Sequence, residues 1–284
     1  MERIVVGVDG SESSQYALEW AAAQARLTGA KVAVVTAAPD GMLLAPVEAL
    51  AWVPPADLEA EATYLQRSIV DRADVGGIDL ERIVALGQPW KVLDEHAAMA
   101  DLLVVGSHGL GALAGSLLGS LSHQAVSHAT YPVVVVPRAS RPPSRIVVGV
   151  DGSETSVRAA AWAGHLAEVN DATLELVMVQ QWTAAPPLGA PYTMVPIPVP
   201  DPEELRRAGR VQLEHLVSGL SLDRLDVERT IVEGPVARRL LERAADANLL
   251  VVGSRGMGGF KGLLFGSVSH RVLHHAPCPV AVVH

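Results

Sequence analysis

The chain carries a single cysteine, Cys278, among its 284 residues. That excludes an intrachain disulfide framework and a cysteine-based metal site, and it fits a reducing, cytoplasmic compartment. Set between Pro277 and Pro279, Cys278 reads as an inert thiol near the start of a strand. Basic excess is also missing: 22 Lys and Arg face 31 Asp and Glu, for a net charge of −9 and a pI near 5.5. No basic stripe is present to meet a nucleic acid or an anionic membrane. The N-terminus enters an apolar strand at once, without a basic-then-apolar leader. Apolar runs are short, and the longest suspicious stretch, residues 42–53, is broken by Pro46 and Glu48, so no membrane span is expected. Gly-x4-Gly-Lys-Ser/Thr and the kinase catalytic loop are both lacking. What remains is a soluble globular chain whose 49% hydrophobic content supplies cores for two domains.

An internal repeat sets the organisation. Residues 3–12, Arg-Ile-Val-Val-Gly-Val-Asp-Gly-Ser-Glu, recur unchanged at 145–154, an offset of 142 (145 − 3). A glycine-rich segment at 106–120 recurs at 253–267, an offset of 147 (253 − 106). The second copy therefore holds five more residues in its middle (147 − 142), and the proline-rich stretch 186–202 is the expected place. The repeats divide the chain into a first domain at residues 1–137, a polar, proline-bearing linker at 138–144, and a second domain at 145–284.

Each repeat alternates strands with helices. In the first, strands are expected at residues 4–8, 32–37, 82–86, 102–105 and 133–136. Ser11 or Ser13 caps a helix that buries Tyr16, Leu18, Trp20, Ala23 and Leu27 and stops at Gly29. Residues 39–55 read as a long connection. Five strands joined by helices, without tight hairpins, imply α/β architecture: two tandem doubly wound, open five-stranded parallel sheets with helices on both faces. In such sheets ligands sit beyond the carboxyl ends of the strands, where the order switches. Asp9 follows the first strand and Gly106 ends the fourth, so adjacent strands would bring carboxylate and glycine loop to one crevice. A glycine-rich segment between a strand and a helix start offers open backbone N–H groups and a positive dipole end to an anion.

Val-Gly-Val-Asp-Gly-Ser near the start of each repeat, with Gly-x2-Gly-x9-Gly-Ser near its end, resembles the universal stress protein family in its ATP-binding branch. The resemblance covers nearly the whole chain in tandem form. It implies a strand order of 3-2-1-4-5, one ATP per lobe, with or without Mg2+, and dimer-like pairing of lobes through their last strands. It also implies site residues. Asp9 and Asp151 would lie near the adenosine, with Gly7, Val8, Gly149 and Val150 lining the nucleotide. Ala37 and Val179, at the second strand's end, would meet adenine through backbone atoms. Gly106 and Gly253 would lie by the ribose. Gly109, Gly119, Ser120, Gly256, Gly266 and Ser267 would surround the phosphates, and Leu121, Ser122, Val268 and Ser269 continue the motif into the helix, where an N–H or a hydroxyl can reach oxygen. A homodimer is the further expectation.

A bland alternative exists for each feature. Loop glycines can serve positive φ angles, and the aspartates can be helix-entry residues beside a capping serine. His123, His128, His270, His274 and His275 invite a metal reading, yet no acid partner is evident, so they are taken as solvated or packing side chains and no metal site is expected. The two loops differ in charge: Arg255 replaces His108 and Lys261 replaces Ala114, so the second site is expected to hold a polyphosphate more tightly. The first loop carries no Lys or Arg between Gly106 and Ser120. Phosphoryl transfer needs a cation on the leaving phosphate, so binding without catalysis is the leading reading. An adenine-nucleotide enzyme such as an adenylyltransferase, and a dimerising scaffold without a ligand, are the alternatives.

Overall fold

The computed structural model describes residues 1–40, 42–44, 51–109, 118–180, 201–257 and 265–284. The interiors of both glycine loops, with Ala114 and Lys261, and most of the proline-rich stretch after Gln180 lie outside the described residues. The first half runs β1 (Arg3–Gly7), α1 (Glu12–Thr28), β2 (Lys31–Ala38), β3 (Met42–Leu44), β4 (Ala51–Val53), α2 (Pro55–Arg72), β5 (Leu80–Leu86), α3 (Pro89–Ala97), β6 (Leu102–Gly106), α4 (Ser120–His128) and β7 (Val133–Val136). The second half runs β8 (Arg145–Gly149), α5 (Glu154–Asn170), β9 (Thr173–Gln180), α6 (Pro202–Val217), β10 (Val227–Glu233), α7 (Val236–Arg243), a 3-10 turn at Ala244–Asp246, β11 (Leu249–Gly253), α8 (Ser267–His275) and β12 (Val280–Val283). The one unexpected pair is β3 with β4, antiparallel to each other and separate from the main sheet, inside the connection expected at 39–55.

Each half has the order 3-2-1-4-5, as β5-β2-β1-β6-β7 and β10-β9-β8-β11-β12, parallel throughout. The two five-stranded sheets join where the resemblance implies, through the last strand of each lobe. β7 and β12 pair antiparallel, Val280 with Val135, Ala281 with Val134 and Val282 with Val133, so the halves fuse into one ten-stranded sheet. Both strands are four-residue apolar runs, buried throughout. Left unpaired, each would be an exposed, sticky edge, and pairing them removes both edges at once.

Strand periodicity sorts the core into two layers. Ile4, Val6 and Val8 face one layer with Leu18, Trp20 and Ala21 of α1, whereas Val5 faces the other with Leu93 of α3 and Val126 of α4. Near-continuous apolar strands are what a sheet covered on both faces requires. Ser11, not Ser13, caps α1, its Oγ accepting the Ser14 N–H, a contact that contributes about 1 kcal/mol. Gly29 ends the helix in the left-handed region at φ 71°. Leu27 departs from expectation at 52% exposed. Nine residues past Leu18, it has turned about 180° to the far side of the helix.

Candidate functional site

β1 and β6 are neighbours in the sheet, so the chain turns just beyond them open side by side. Beyond β1, Asp9 is held by the first turn of α1: Ser11 donates its N–H at 3.0 Å and its Oγ–H at 2.6 Å to Asp9 Oδ1. The second half repeats this, Ser153 donating to Asp151 Oδ1 at 3.0 and 2.6 Å. The other carboxylate oxygen points at the glycine loop. Met257 N–H donates to Asp151 Oδ2 at 2.9 Å. A Cβ at Gly256 would overlap that same Oδ2, and one at Gly109 would overlap Asp9 Oδ2. These glycines are thus required by close approach of a carboxylate. None of the six described motif glycines has a positive φ, so left-handed turns are not the reason they are glycines.

Hydroxyls fasten each loop. Ser13 Oγ donates to His108 O in the first lobe, and Thr155 Oγ1 donates to Arg255 O at 2.5 Å in the second. Gly106 and Gly253 let this happen, since a Cβ at either would strike Ser13 or Thr155. The loops close on themselves where Gly119 N–H reaches Ser107 O at 2.7 Å and Gly266 N–H reaches Ser254 O at 2.9 Å. One expectation is corrected here. The Ser122 and Ser269 hydroxyls do not face outward as donors, because they donate to Gly106 O at 2.6 Å and Gly253 O at 2.7 Å, tying helix to strand. Their backbone N–H groups remain at the helix start.

α4 and α8 begin at Gly119 and Gly266, which have no side chain to cap them, and neither helix has an acid in its first turn. By contrast α1 has both a serine cap and Glu12. The first amide to bond back within α4 is His123, to Gly119 O at 3.0 Å, and within α8 it is His270, to Gly266 O at 2.9 Å. Three N–H groups at each helix start, of Ser120, Leu121 and Ser122 and of Ser267, Val268 and Ser269, therefore lack an intrahelical acceptor. All six residues border cavities.

The residues that the resemblance assigns to the nucleotide, with Arg255, all border one of two cavities, whereas Lys261 lies outside the described residues. The ten of the first repeat border one of about 450 Å³, and the eleven of the second border one of about 550 Å³. Both are of small-ligand size. Sequence reasoning missed the apolar side: Leu93, Val105 and Leu118 in the first cavity, Leu240, Val252 and Phe265 in the second. A signal for all six lay in the repeat, since each pair is 147 residues apart (240 − 93, 252 − 105, 265 − 118), and Leu93 and Leu240 fill the space a side chain at Gly7 or Gly149 would take.

Electrostatically, burial would raise the Asp151 carboxyl, but the Ser153 hydroxyl and N–H, the Met257 N–H and the Ser156 hydroxyl together hold it below the ordinary aspartate value. A lowered folded-state value means that ionised Asp151 favours folding above about pH 4 and that this contribution is lost as pH falls through the lowered value. Melting curves at pH 6 and pH 3.5 should therefore show a smaller acid-induced loss for Asp151→Asn than for the wild type. An equal loss would mean that the carboxylate adds nothing. Arg255 borders the second cavity and is exposed, while His108 borders the first.

Two doubly wound lobes, each opening a helix start without a side-chain cap into a crevice beyond its strands, define a tandem α/β protein with paired crevices. The chain belongs to the universal stress protein family, whose model matches residues 1–137 and 143–284. A universal stress protein of Mycobacterium tuberculosis (strain CDC 1551) is 36% identical over 307 aligned positions, spanning 98% of this chain and 94% of the relative. One from Mycolicibacterium smegmatis is 33% identical over 306 positions, spanning 99% and 96%. The crystal structure of a universal stress protein from Archaeoglobus fulgidus matches with a TM-score of 0.72 over 99% of this chain and 97% of that one, at 18% identity, a likeness of fold. No helix among the described residues is long and apolar enough to cross a membrane.

Proposed function

We propose that each lobe binds ATP or a closely related adenine nucleotide, and that the protein acts in a stress response through nucleotide-dependent shape or association, not through turnover. The observation that carries this reading is the glycine-started helix: three N–H donors and a positive dipole end opening into a cavity of nucleotide size, twice in one chain. Charge-assisted hydrogen bonds of roughly 1.5–3 kcal/mol each can sustain micromolar affinity, about −8 kcal/mol, after ordering costs. The apolar side formed by Leu93 and Leu118, or Leu240 and Phe265, suits a base. Mg2+ would arrive on the phosphates, because the Asp151 carboxylate is already engaged by Ser153 and Met257. Binding without hydrolysis is supported by the first cavity, where no Lys or Arg is among the described lining residues. Arg255 favours tighter, more salt-sensitive binding in the second lobe.

Calorimetric titration with ATP, together with mass spectrometry of nucleotide released from purified protein, tests the reading. Two sites per chain are expected, with no ADP, AMP or pyrophosphate formed over hours. Absence of both bound and titratable nucleotide would leave the ligand-free scaffold, and product formation above a Gly119→Ala/Gly266→Ala blank would make the protein an enzyme. A cytoplasmic setting belongs to the same proposal, and Cys278, free and buried with its thiol pushed up to about 12 by burial, is a weak nucleophile. A homodimer belongs to the same proposal. β7 and β12 are already paired with each other, so edge-to-edge association of two chains through the ten-stranded sheet would use β5 or β10, its two edges among the described residues.

A further inference from the structure

The antiparallel seam has a near-twofold axis, and one pair marks where it passes. Val134 and Ala281 are equivalent in the repeat (281 − 134 = 147) and are paired with each other. The layer that covers this seam is built by α4 and α8, through Ala125 and Val126 on one side and Val272 and Leu273 on the other. His123 and His270 are likewise equivalent (270 − 123 = 147). They meet across the axis with ring centroids 6.1 Å apart, edge to face. His274, four residues beyond His270 and so on the same face of α8, brings its ring centroid to 4.4 Å from that of His270. It has no partner in symmetry, because the equivalent position in the first repeat is Ser127 (274 − 147 = 127).

The His270 and His274 Nε2 atoms lie 3.2 Å apart and face each other. Two imidazole nitrogens on one tetrahedral Zn2+, at about 2.0–2.1 Å each, lie about 3.3–3.4 Å apart. From this geometry we propose that His270 and His274 chelate a divalent transition metal ion, with His123 as a third ligand from the other lobe. Imidazole nitrogens suit Zn2+, Ni2+ and Cu2+ and not Mg2+ or Ca2+. Among the described residues, as placed, no group of three or more His, Cys, Asp or Glu side chains could hold a metal ion. The site is therefore a two-histidine chelate that His123 completes by turning its ring, with water in the remaining position. The neutral ring is the ligating form. Burial first, then the neighbouring rings of His270, His275 and His123, hold His274 below the ordinary histidine value and so favour that form. His123 and His270 each follow directly on the three open N–H groups of their own helix, so the metal would clamp the starts of α4 and α8 together. Nothing in this argument depends on what the crevices bind.

The test uses the full chain without a polyhistidine tag, titrated with Zn2+ at pH 7.5 against a chromophoric chelator, and followed in parallel by melting temperature. One Zn2+ per chain at micromolar Kd is expected, with Cu2+ tighter and Mg2+ without effect. His270→Ala and His274→Ala should each weaken binding at least about tenfold, His123→Ala about three- to tenfold, and His128→Ala not at all. These rings are at or near the surface, so the variants should fold, and their metal-free melting curves check that. Zn2+ should raise the melting temperature of the wild type but not that of His270→Ala/His274→Ala. Binding that is absent, or equally strong in that double variant, would overturn the proposal. Unchanged affinity in His123→Ala would overturn the link between lobes.

Discussion

Gly266→Asp should abolish nucleotide binding in the second lobe while leaving the protein as stable as before or slightly more so. Aspartate is among the best residues for starting a helix, and its carboxylate accepts the N–H of the second or third helical residue. At position 266 the backbone already has the extended conformation of a cap, φ −78° and ψ 146°. A Cβ there would meet Ser254 O at 3.3 Å, which asks for a shift of a few tenths of an ångström. The helix should gain up to about 1 kcal/mol, partly offset by that crowding. Binding moves the other way, because the new carboxylate occupies the donors a phosphate would use and adds like charge beside it. Loss of two charge-assisted bonds, roughly 1.5–3 kcal/mol each, corresponds to at least about a hundredfold in affinity. Gly119→Asp should do the same in the first lobe. Calorimetry on each single variant then isolates the opposite site, and two salt concentrations show whether Arg255 steepens the salt dependence of the second. Undiminished ATP binding by Gly119→Asp/Gly266→Asp would remove the helix starts from the phosphate site altogether.

The second large effect concerns stability alone. Glu175 lies within β9 with its side chain 0% exposed, accepting from Thr230 Oγ1 at 2.8 Å, from Arg145 Nη2 at 2.7 Å and from Arg243. Removing one partner of a buried ion pair typically costs 3–5 kcal/mol, because the remaining charge is stranded away from water. Arg145→Met keeps most of the side-chain volume and leaves Arg243 in place, so about 3 kcal/mol is expected from denaturant unfolding. The first repeat supplies the control. Its equivalent of Glu175 is Ala33 (175 − 142), and among the described residues the ion-pair partner of Arg3 is the partly exposed Glu81, at 3.4 Å. Arg3→Met should therefore cost under about 1 kcal/mol. Equal losses would show that the Glu175 cluster is not held by Arg145.

Much of this was legible because the repeat prints the fold twice. Apolar four- and five-residue strands, a serine before each first helix, and the 142 and 147 offsets gave the alternation of strand and helix and its repetition, while the resemblance to the universal stress protein family implied the strand order. Asp9 and the glycine loop could be placed side by side because β1 and β6 must be neighbours in a 3-2-1-4-5 sheet. The reasons for individual glycines were not legible. Gly109 is glycine because of a carboxylate from residue 9, and Gly106 because of a serine in α1, contacts that no local pattern encodes. Ser122 looked like a ligand donor and is a strut, since its hydroxyl has Gly106 O within 2.6 Å. Glu175 reads as the polar phase of a strand, and its burial depends on Arg145 and Arg243, which reach it from other elements. His123 and His270 share the 147-residue offset of the repeats, but that offset does not show that they meet, because what joins them is the register of the seam.

That seam also changes what concentration means for this protein. Two separate lobes pairing through four-residue strands would obey mass action and come apart on dilution. Residues 137–144 tether them instead, so each lobe sees the other at the effective concentration set by a short linker, of millimolar order. Pairing is then unimolecular and persists however scarce the chain becomes. The two lobes, no longer copies of one sequence, are also free to differ, as Arg255 opposite His108, Glu175 opposite Ala33 and His274 opposite Ser127 already do.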